Sequence, residues 1–182
     1  EPTSVQNKEQ ANLIFSIDTT NTKINEEGFI IHLNNKKQIE IIAKTTKGLL
    51  YGCFEYIRAM QMHKNLSILN ITSSPSLNIR ILNHWDNINR SVERGYAGIS
   101  IINWHTLPDF IDKRYIDYAR ANASIGINGT VITNVNANAL FLTKDYLLKA
   151  KALADVFRSY GMKVYLTARF SAPIEIGHLK TA

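Results

Sequence analysis

The residues best suited to chemistry lie together in the stretch 78–98, which reads NIRILNHWDNINRSVERGYAG. Its first part is apolar and typical of a strand, and His84, Trp85, Asp86 and Glu93 follow in quick succession. A strand that ends in such a cluster delivers side chains into a polar site. Asp86 and Glu93 could supply a general acid and base, His84 with Asp86 could bind a metal, and Trp85 could stack on a sugar ring.

Each of these interpretations has a structural alternative. Arg94 is adjacent to Glu93 and asparagines surround Asp86, so ion pairs and hydrogen bonds that fix the loop are favoured over catalysis. His84 lacks a second histidine–carboxylate cluster, which favours a hydrogen-bond anchor or a partner for a sugar hydroxyl over a metal ligand. Trp85 at a strand end favours sugar contact over a core position that caps a barrel.

Five further residues are candidates for substrate binding. Asn87 follows Asp86 directly, and Asn134, Val135 and Asn136 follow the next predicted strand. Asparagine can donate to and accept from sugar hydroxyls, while valine can form an apolar wall; a purely structural turn is an equal alternative. Arg169 ends the third predicted strand, where it could pair with a substrate carboxylate or with a neighbouring acidic side chain.

Composition excludes several other classes of function. The net charge is +6, but the lysines and arginines are scattered, so nucleic-acid binding is disfavoured. No apolar run approaches the roughly 20 residues of a membrane-spanning helix, which predicts no membrane partner. Cys53 is the single cysteine, which rules out an internal disulfide. The glycines form no phosphate-binding motif.

The elements before this stretch indicate a small α+β domain over residues 1–76. Strands are predicted at 11–19, 28–33, 38–44 and 67–72, and the second and third form a hairpin around a turn of Asn and Lys residues. Leu49, Leu50, Cys53, Phe54 and Ile57 recur at helical spacing, which predicts a helix over 47–62 with a cap at Thr45 or Thr46. The segment SSPS at 73–76 is interpreted as a linker.

The elements from residue 77 to 182 alternate between strands and helices. Strands are predicted at 77–84, 127–133 and 163–168, with helices at 113–123 and from about 143 to Gly161. This order indicates a parallel sheet with right-handed crossovers, and the polar loops follow the strands as in α/β ligand sites. Because three strands cannot close a barrel of eight, we expect the chain to be a fragment of a larger protein.

Three motifs in this half carry a family resemblance: NHWDNINRSVERGYAG, YARANASIGINGTVITNVNA and LKAKALADVFRSYGMKVYLTARFSAP. They resemble the glycoside hydrolase family 67 α-glucuronidases in the same order along the chain. The front segment EGFIIHLNNKKQIEIIAKTTKGLLYGCFEYIRAMQ is similar to the small domain that precedes the barrel of several exo-glycosidases, including β-hexosaminidase-like enzymes. The expected fold is α/β: a small α+β domain, then the first three β/α units of an incomplete (β/α)8 TIM barrel.

The resemblance implies an inverting hydrolase that removes 4-O-methyl-glucuronic acid from xylan-derived aldouronic acids. The family is commonly dimeric and needs no metal, so we expect no cofactor and a homodimeric parent protein. Inverting hydrolysis needs two carboxyl groups about 6.5–9.5 Å apart. In the family these lie on later barrel strands, so we expect no catalytic residue in this chain and no activity from it alone.

Two other functions remain open at this stage. The chain could belong to a hexosaminidase-like exo-glycosidase with the same front domain, which an adjacent acidic pair on a later strand would reveal. It could also be a non-catalytic carbohydrate-binding module. The sequence does not decide between a periplasmic or secreted location and a cytoplasmic one.

Overall fold

The structure is a computed structural model that describes residues 7–134 and 136–180. Its internal contacts divide the chain into two compact units, Glu1–Asn78 and Ile79–Ala182. Both units combine strands with helices, and the four α-helices are shared between them, one in the first and three in the second.

The first unit is a four-stranded sheet covered on one face by a helix. Its strands are β1 (Leu13–Ile17), β2 (Phe29–Leu33), β3 (Ile39–Ala43) and β4 (Asn70–Ser73), and the helix is α1 (Thr46–Gln61). The spatial order is β1-β3-β2-β4, with β1 parallel to β3 and β2 antiparallel to both β3 and β4. The predicted β2–β3 hairpin is therefore confirmed.

Local side-chain bonds explain why these elements begin where they do. Asn34 turns the hairpin by accepting hydrogen bonds from the backbone amides of Lys36 (2.9 Å) and Gln38 (3.0 Å). Thr45 caps α1, because its hydroxyl accepts from the Gly48 amide at 3.2 Å. Every second residue of β3 then faces the helix and is buried, which places the core of this unit between α1 and the sheet.

Two predictions for this unit were right only in part. The strand predicted at 67–72 is present as β4, but it begins at Asn70. Residues 66–68 form a short 3-10 turn rather than a strand, because Asn65 Oδ1 accepts hydrogen bonds from both the amide and the hydroxyl of Ser67. The segment 73–76 is not a free linker. Ser73 ends β4, and Asn25 bonds the next two residues, through its amide to Ser74 Oγ (3.1 Å) and through its side chain to Pro75 O (2.7 Å).

The second unit is a three-stranded parallel sheet with helical crossovers. Its strands are β5 (Ile81–Asn83), β6 (Gly129–Val131) and β7 (Lys163–Tyr165), in that spatial order. Its helices are α2 (Lys113–Ser124), α3 (Lys144–Arg158) and the short α4 (Ala172–Glu175). The strands are shorter than predicted, but their order and direction agree with the alternating pattern.

The core of the second unit lies between the sheet and its helices. Tyr115 and Ala119 of α2 and Leu153 and Phe157 of α3 are fully or almost fully buried in one cluster. Asp112 caps α2, since its carboxylate accepts from the Arg114 amide at 2.9 Å.

The chain between β5 and α2 is largely irregular, but it contributes to the core. Trp104 in this segment has no exposed surface, and its ring packs edge-on against Phe141 with centroids 4.9 Å apart. Lys149 of α3 donates to the Trp104 carbonyl at 2.6 Å. The long segment is therefore anchored in the unit at its middle as well as at its ends.

Candidate functional site

A cleft of about 450 Å³ opens at the carboxyl end of β5. Parallel strands collect their following loops at this edge, which is where α/β proteins bind ligands. The lining consists of the end of β5, the residues that follow it, and one side chain of α2: Asn83, His84, Trp85, Asp86, Val92, Glu93, Ser100, Ile101 and Tyr118.

His84 is fixed against α2. Its Nε2 lies 2.5 Å from Tyr118 Oη, and the two rings meet edge-to-face with centroids 5.4 Å apart. Tyr118 in turn stacks on Phe157 of α3, with ring centroids 5.6 Å apart. Burial raises the pKa of Tyr118 and the charge of Asp86 adds to this, while a hydrogen bond with Thr130 of β6 opposes it. The Tyr118 phenol is therefore a neutral hydrogen-bonding group at neutral pH.

Asp86 is one of the most deeply buried polar residues of the unit, with only 1% of its surface exposed. Its carboxylate accepts a hydrogen bond from Ser100 Oγ, and the same Ser100 oxygen accepts from the Ile102 amide at 2.9 Å. Burial raises the pKa of Asp86, although the Ser100 bond and the nearby His84 both act to lower it. The carboxylate thus joins two distant parts of the loop.

Trp85 lies between these two fixed residues and remains accessible. Its exposed fraction is 37%, whereas Trp104 is completely buried. The Trp85 carbonyl accepts from the Glu93 amide at 2.8 Å, which holds its backbone against the returning loop. A flat, accessible indole beside hydrogen-bonding groups is suited to stacking on a sugar face.

Asn87 and Glu93 shape the loop that borders the cleft. Both amide protons of the Asn87 side chain are engaged, one with Ser91 Oγ (3.1 Å) and one with the Glu93 carbonyl (2.5 Å). Glu93 has a positive φ of 56°, and its carboxylate raises the pKa of the Tyr96 phenol. Glu93 fixes the loop through its backbone, because its amide donates to the Trp85 carbonyl and its carbonyl accepts from Asn87.

The remaining predicted residues follow β6 and β7 at the same edge of the sheet. Asn134 is buried and forms a turn, since its Oδ1 accepts from the Asn136 amide at 2.6 Å; the Asn136 side chain is exposed. Arg169 pairs with Glu175 of α4, with Nε and Oε1 3.3 Å apart. Val135 lies outside the described residues. Within the described chain, the cleft itself brings together only His84 and Trp85 of the predicted contacts.

Sequence reasoning missed Ser100 and Tyr118 as parts of the site. Ser100 contacts Asp86 from fourteen residues away, and no local pattern marks it. Tyr118 lies within the helix predicted at 113–123, and its proximity to His84 follows only from the packing of α2 beside β5 and β6. A phenol on the core side of a helix is one available signal, because a buried tyrosine hydroxyl usually finds a polar partner.

Among the described residues, no group of three histidine, cysteine or carboxylate side chains is placed to hold a metal ion. Across the same residues, no helix is long and apolar enough to cross a membrane.

Two solved structures share a fold with this chain. The GH138 enzyme targeting pectin rhamnogalacturonan II matches with a TM-score of 0.61 and 16% identity over 89% of this chain and 26% of its own. A β-N-acetylhexosaminidase matches with a TM-score of 0.52 and 13% identity over 87% of this chain and 35% of its own. These likenesses show a fold shared with glycoside hydrolases.

Two family models match consecutive parts of the chain. The model described as the glycosyl hydrolase family 67 N-terminus matches residues 3–56, and the family 67 middle domain matches residues 59–182. The chain belongs to glycosyl hydrolase family 67, which confirms the resemblance read from the sequence motifs.

Two curated relatives are both named as alpha-glucuronidases. The chain is 38% identical over 160 residues to the Probable alpha-glucuronidase A of Aspergillus clavatus, covering 87% of this chain and 19% of that protein. It is 38% identical over 146 residues to the Alpha-glucuronidase A of Emericella nidulans, covering 78% of this chain and 17% of that protein. The chain therefore spans about a fifth of the length of these relatives.

Proposed function

We propose that this chain is part of an α-glucuronidase that removes glucuronic acid or its 4-O-methyl ether from xylan-derived aldouronic acids. The observation that carries the proposal is the match of both family 67 models, in order, across nearly the whole chain. The names of the curated relatives support the same activity. The hexosaminidase alternative has only a likeness of fold in its favour.

In this proposal the two halves of the chain have different tasks. Residues 1–76 form the accessory domain that precedes an exo-glycosidase barrel, and residues 77–182 form its first three β/α units. The support for a (β/α)8 barrel is the run of β5, α2, β6, α3 and β7, with parallel strands and helical crossovers. The sheet would continue through strands supplied by the four-fifths of the family's length that this chain does not cover.

The catalytic carboxyl groups are assigned to that other part of the protein. An inverting pair needs an acid and a base that both reach the substrate across a water molecule. Asp86 is nearly inaccessible and bonded to Ser100, and the backbone of Glu93 is bonded to Trp85 and Asn87 in the loop. Both residues have structural roles in the positions they occupy, so neither is proposed to act on the glycosidic bond.

The contribution of this chain is one wall of the sugar pocket. Trp85 is proposed to stack on the sugar ring, with His84 and Asn87 beside it. Asn134, Val135 and Asn136 are proposed to line the adjoining subsite after β6. Arg169 sits where it could exchange its pairing with Glu175 for the carboxylate of a uronic acid. The proposed partners are a glucuronoxylan oligosaccharide and a second copy of the parent protein.

A chimera tests the activity. The 146 matched residues of the Emericella nidulans Alpha-glucuronidase A would be replaced by the corresponding residues of this chain. We expect the chimera to release glucuronic acid from aldotriouronic acid and to lose that activity on Trp85→Ala substitution. A folded chimera without turnover, beside an active parent enzyme, would contradict the proposal.

The isolated 182-residue chain provides the second test. We expect no release of glucuronic acid from aldotriouronic acid, because the proposed acid and base are absent. Turnover that survives the double substitution of Asp86 and Glu93 and is free of contaminating enzyme would overturn this assignment. Calorimetric binding of aldotriouronic acid by the isolated chain, abolished by Trp85→Ala, would instead favour a self-sufficient carbohydrate-binding module.

A further inference from the structure

Trp85 is bounded on both sides by residues whose side chains are fixed to different elements. His84, which precedes it, is bonded to Tyr118 of α2. Asp86, which follows it, is bonded to Ser100 in the returning part of the loop. The residues on both sides of the accessible Trp85 indole are therefore bonded to other parts of the unit, one to α2 and the other to Ser100.

The backbone of the same segment is also held from two directions. The His84 amide donates to the Val131 carbonyl of β6 at 2.7 Å, which continues the parallel ladder by one bond. The Trp85 carbonyl accepts from Glu93 at 2.8 Å, and Asp86 pairs with Val92 as an isolated antiparallel bridge. The backbone amide of His84 and the carbonyl of Trp85 are therefore both hydrogen-bonded to neighbouring segments of the chain.

The two anchors and the indole meet at the same cleft. His84, Trp85 and Asp86 all line it, together with Tyr118 and Ser100, to which the two flanking residues are bonded. The two bonds therefore hold the segment on both sides of Trp85 along the chain.

The burial of Asp86 needs a reason other than stability. Moving a carboxylate out of water is costly, and one hydrogen bond from a hydroxyl offsets only part of that cost. The groups that face it are His84, Tyr118 and Ser100, all of which also line the cleft. An apolar side chain would fill the same space at lower cost, but it would not bind the returning loop at a defined point.

We infer that His84 and Asp86 are positioning residues that hold the Trp85 indole at the cleft through Tyr118 and Ser100. Neither residue touches the reacting bond in this assignment. The inference rests on the proposed function for the role of the indole as a sugar platform. The rigidity of the indole is a property of the ligand-free chain, so it can be measured whether or not sugar binds.

Time-resolved tryptophan fluorescence gives the measurement. The chain contains two tryptophans, so subtracting the signal of a Trp85→Phe variant from that of the intact chain isolates Trp85. In the intact chain we expect the Trp85 anisotropy to decay with the tumbling of the whole molecule. In Tyr118→Phe, which keeps the ring stacked on Phe157, we expect a new picosecond-to-nanosecond component and stronger acrylamide quenching of Trp85.

Substitutions at Asp86 test whether a conservative replacement keeps the indole rigid where alanine does not. Asp86→Ala removes the acceptor for Ser100 and should produce the same fast component. Asp86→Asn keeps an acceptor oxygen of the same size in the same place, so it should retain the slow decay of the intact chain. If Asp86→Ala does not fold, Tyr118→Phe decides the question alone.

Tyr115→Phe is the matched control on the same helix. Tyr115 is fully buried and its hydroxyl accepts from the Asn103 amide at 2.8 Å, so this variant also loses one hydrogen bond, but beside Trp104. Trp85 should remain rigid in it. Unchanged Trp85 anisotropy in folded Tyr118→Phe, or equal loosening of Trp85 in Tyr115→Phe, would overturn the inference. Failure of aldotriouronic acid to bind would count against the proposed sugar contact only.

Discussion

The hydroxyl of Ser100 donates to the carboxylate of Asp86 across a loop of fourteen residues, and both side chains are buried. This hydrogen bond joins Asp86 to Ser100 in the returning part of the loop, inside the second unit. Because Ser100 Oγ also accepts from the Ile102 amide, a single serine oxygen links Asp86 to the chain that continues toward Trp104. The irregular segment after β5 therefore has a defined conformation at the cleft without regular secondary structure.

The first prediction concerns the pH dependence of stability at Asp86. Burial raises its pKa above the ordinary value of 3.8. Between pH 3.8 and the raised pKa of the folded state, the folded chain therefore binds more protons than the unfolded chain. The stabilisation that Asp86 contributes is fully present below pH 3.8 and is lost as the pH rises through the folded pKa. Asp86→Asn lacks this loss. Its stability relative to the native chain should increase with pH over this window, by at most about 1.4 kcal/mol per pH unit.

Urea unfolding of the two proteins over a series of pH values measures this difference. Asp112 and Asp155 have lowered pKa values because of their arginine and lysine partners, and their contributions have the opposite sign. They are present in both proteins and cancel in the comparison. A difference that stays constant with pH, or that falls as the pH rises, would show that Asp86 does not carry a raised pKa.

Local patterns were sufficient for most elements of the fold. The cap of α1 was predicted at Thr45 or Thr46, and the structure has it at Thr45; the hairpin was recognised from alternating residues around a polar turn. The strand predicted over 67–72 is present as β4 but begins only at Asn70, because Asn65 accepts two hydrogen bonds from Ser67 and forms a turn where residue preferences alone indicate a strand. Side-chain to backbone bonds of this kind override weak strand propensity.

The candidate site was predictable only in part, for a different reason. Its position after β5 follows from the change in composition at His84, and so does the accessible indole of Trp85. The partners Tyr118 and Ser100 come from 34 and fourteen residues away, and their contacts depend on how α2 and the loop pack. Glu93 was expected to meet Arg94, but it lies in a turn with a positive φ, where its carboxylate raises the pKa of Tyr96.

The second prediction concerns the close packing of α1 on the sheet at Gly52. A methyl carbon at this position would lie 2.5 Å from Ile41 Cγ2 and 3.3 Å from Phe29 Cβ. Gly52→Ala should gain about 1 kcal/mol of helix propensity but lose about 1–3 kcal/mol to overpacking, so we expect a net loss of unfolding free energy.

A double-mutant cycle with Ile41→Ala checks the cause of that loss. Removing Cγ2 makes room for the new methyl group, so the combined substitution should cost less than the sum of the two single ones. Chemical denaturation of the four proteins gives the coupling. Strict additivity would mean that the contact with Ile41 is not what Gly52 avoids.

The third prediction separates the roles of the two tryptophans. Trp104 is fully buried against Phe141, so Trp104→Ala should lower the unfolding free energy by about 3–5 kcal/mol. Trp85 is 37% exposed, so Trp85→Ala should cost clearly less. Thermal and urea unfolding of both variants test this contrast. Equal losses would indicate that Trp85 is a core residue and would weaken its assignment as a sugar platform.

The last prediction concerns the pairing of the chain beyond β6 and β7. Thr133 Oγ1 accepts from the Thr167 amide at 3.0 Å, and Thr167 Oγ1 donates to the Thr133 carbonyl at 2.8 Å. Thr133 is fully buried, so Thr133→Val keeps its shape but leaves the Thr167 amide without this acceptor, at a cost of about 1–3 kcal/mol. Thr72→Val on the exposed surface of β4 is the matched control and should change stability by less than about 0.5 kcal/mol. Because these threonines precede Asn134 and Arg169, amide hydrogen exchange at Thr167 should also accelerate in Thr133→Val; unchanged exchange there would show that the threonine pair does not hold the two loops together.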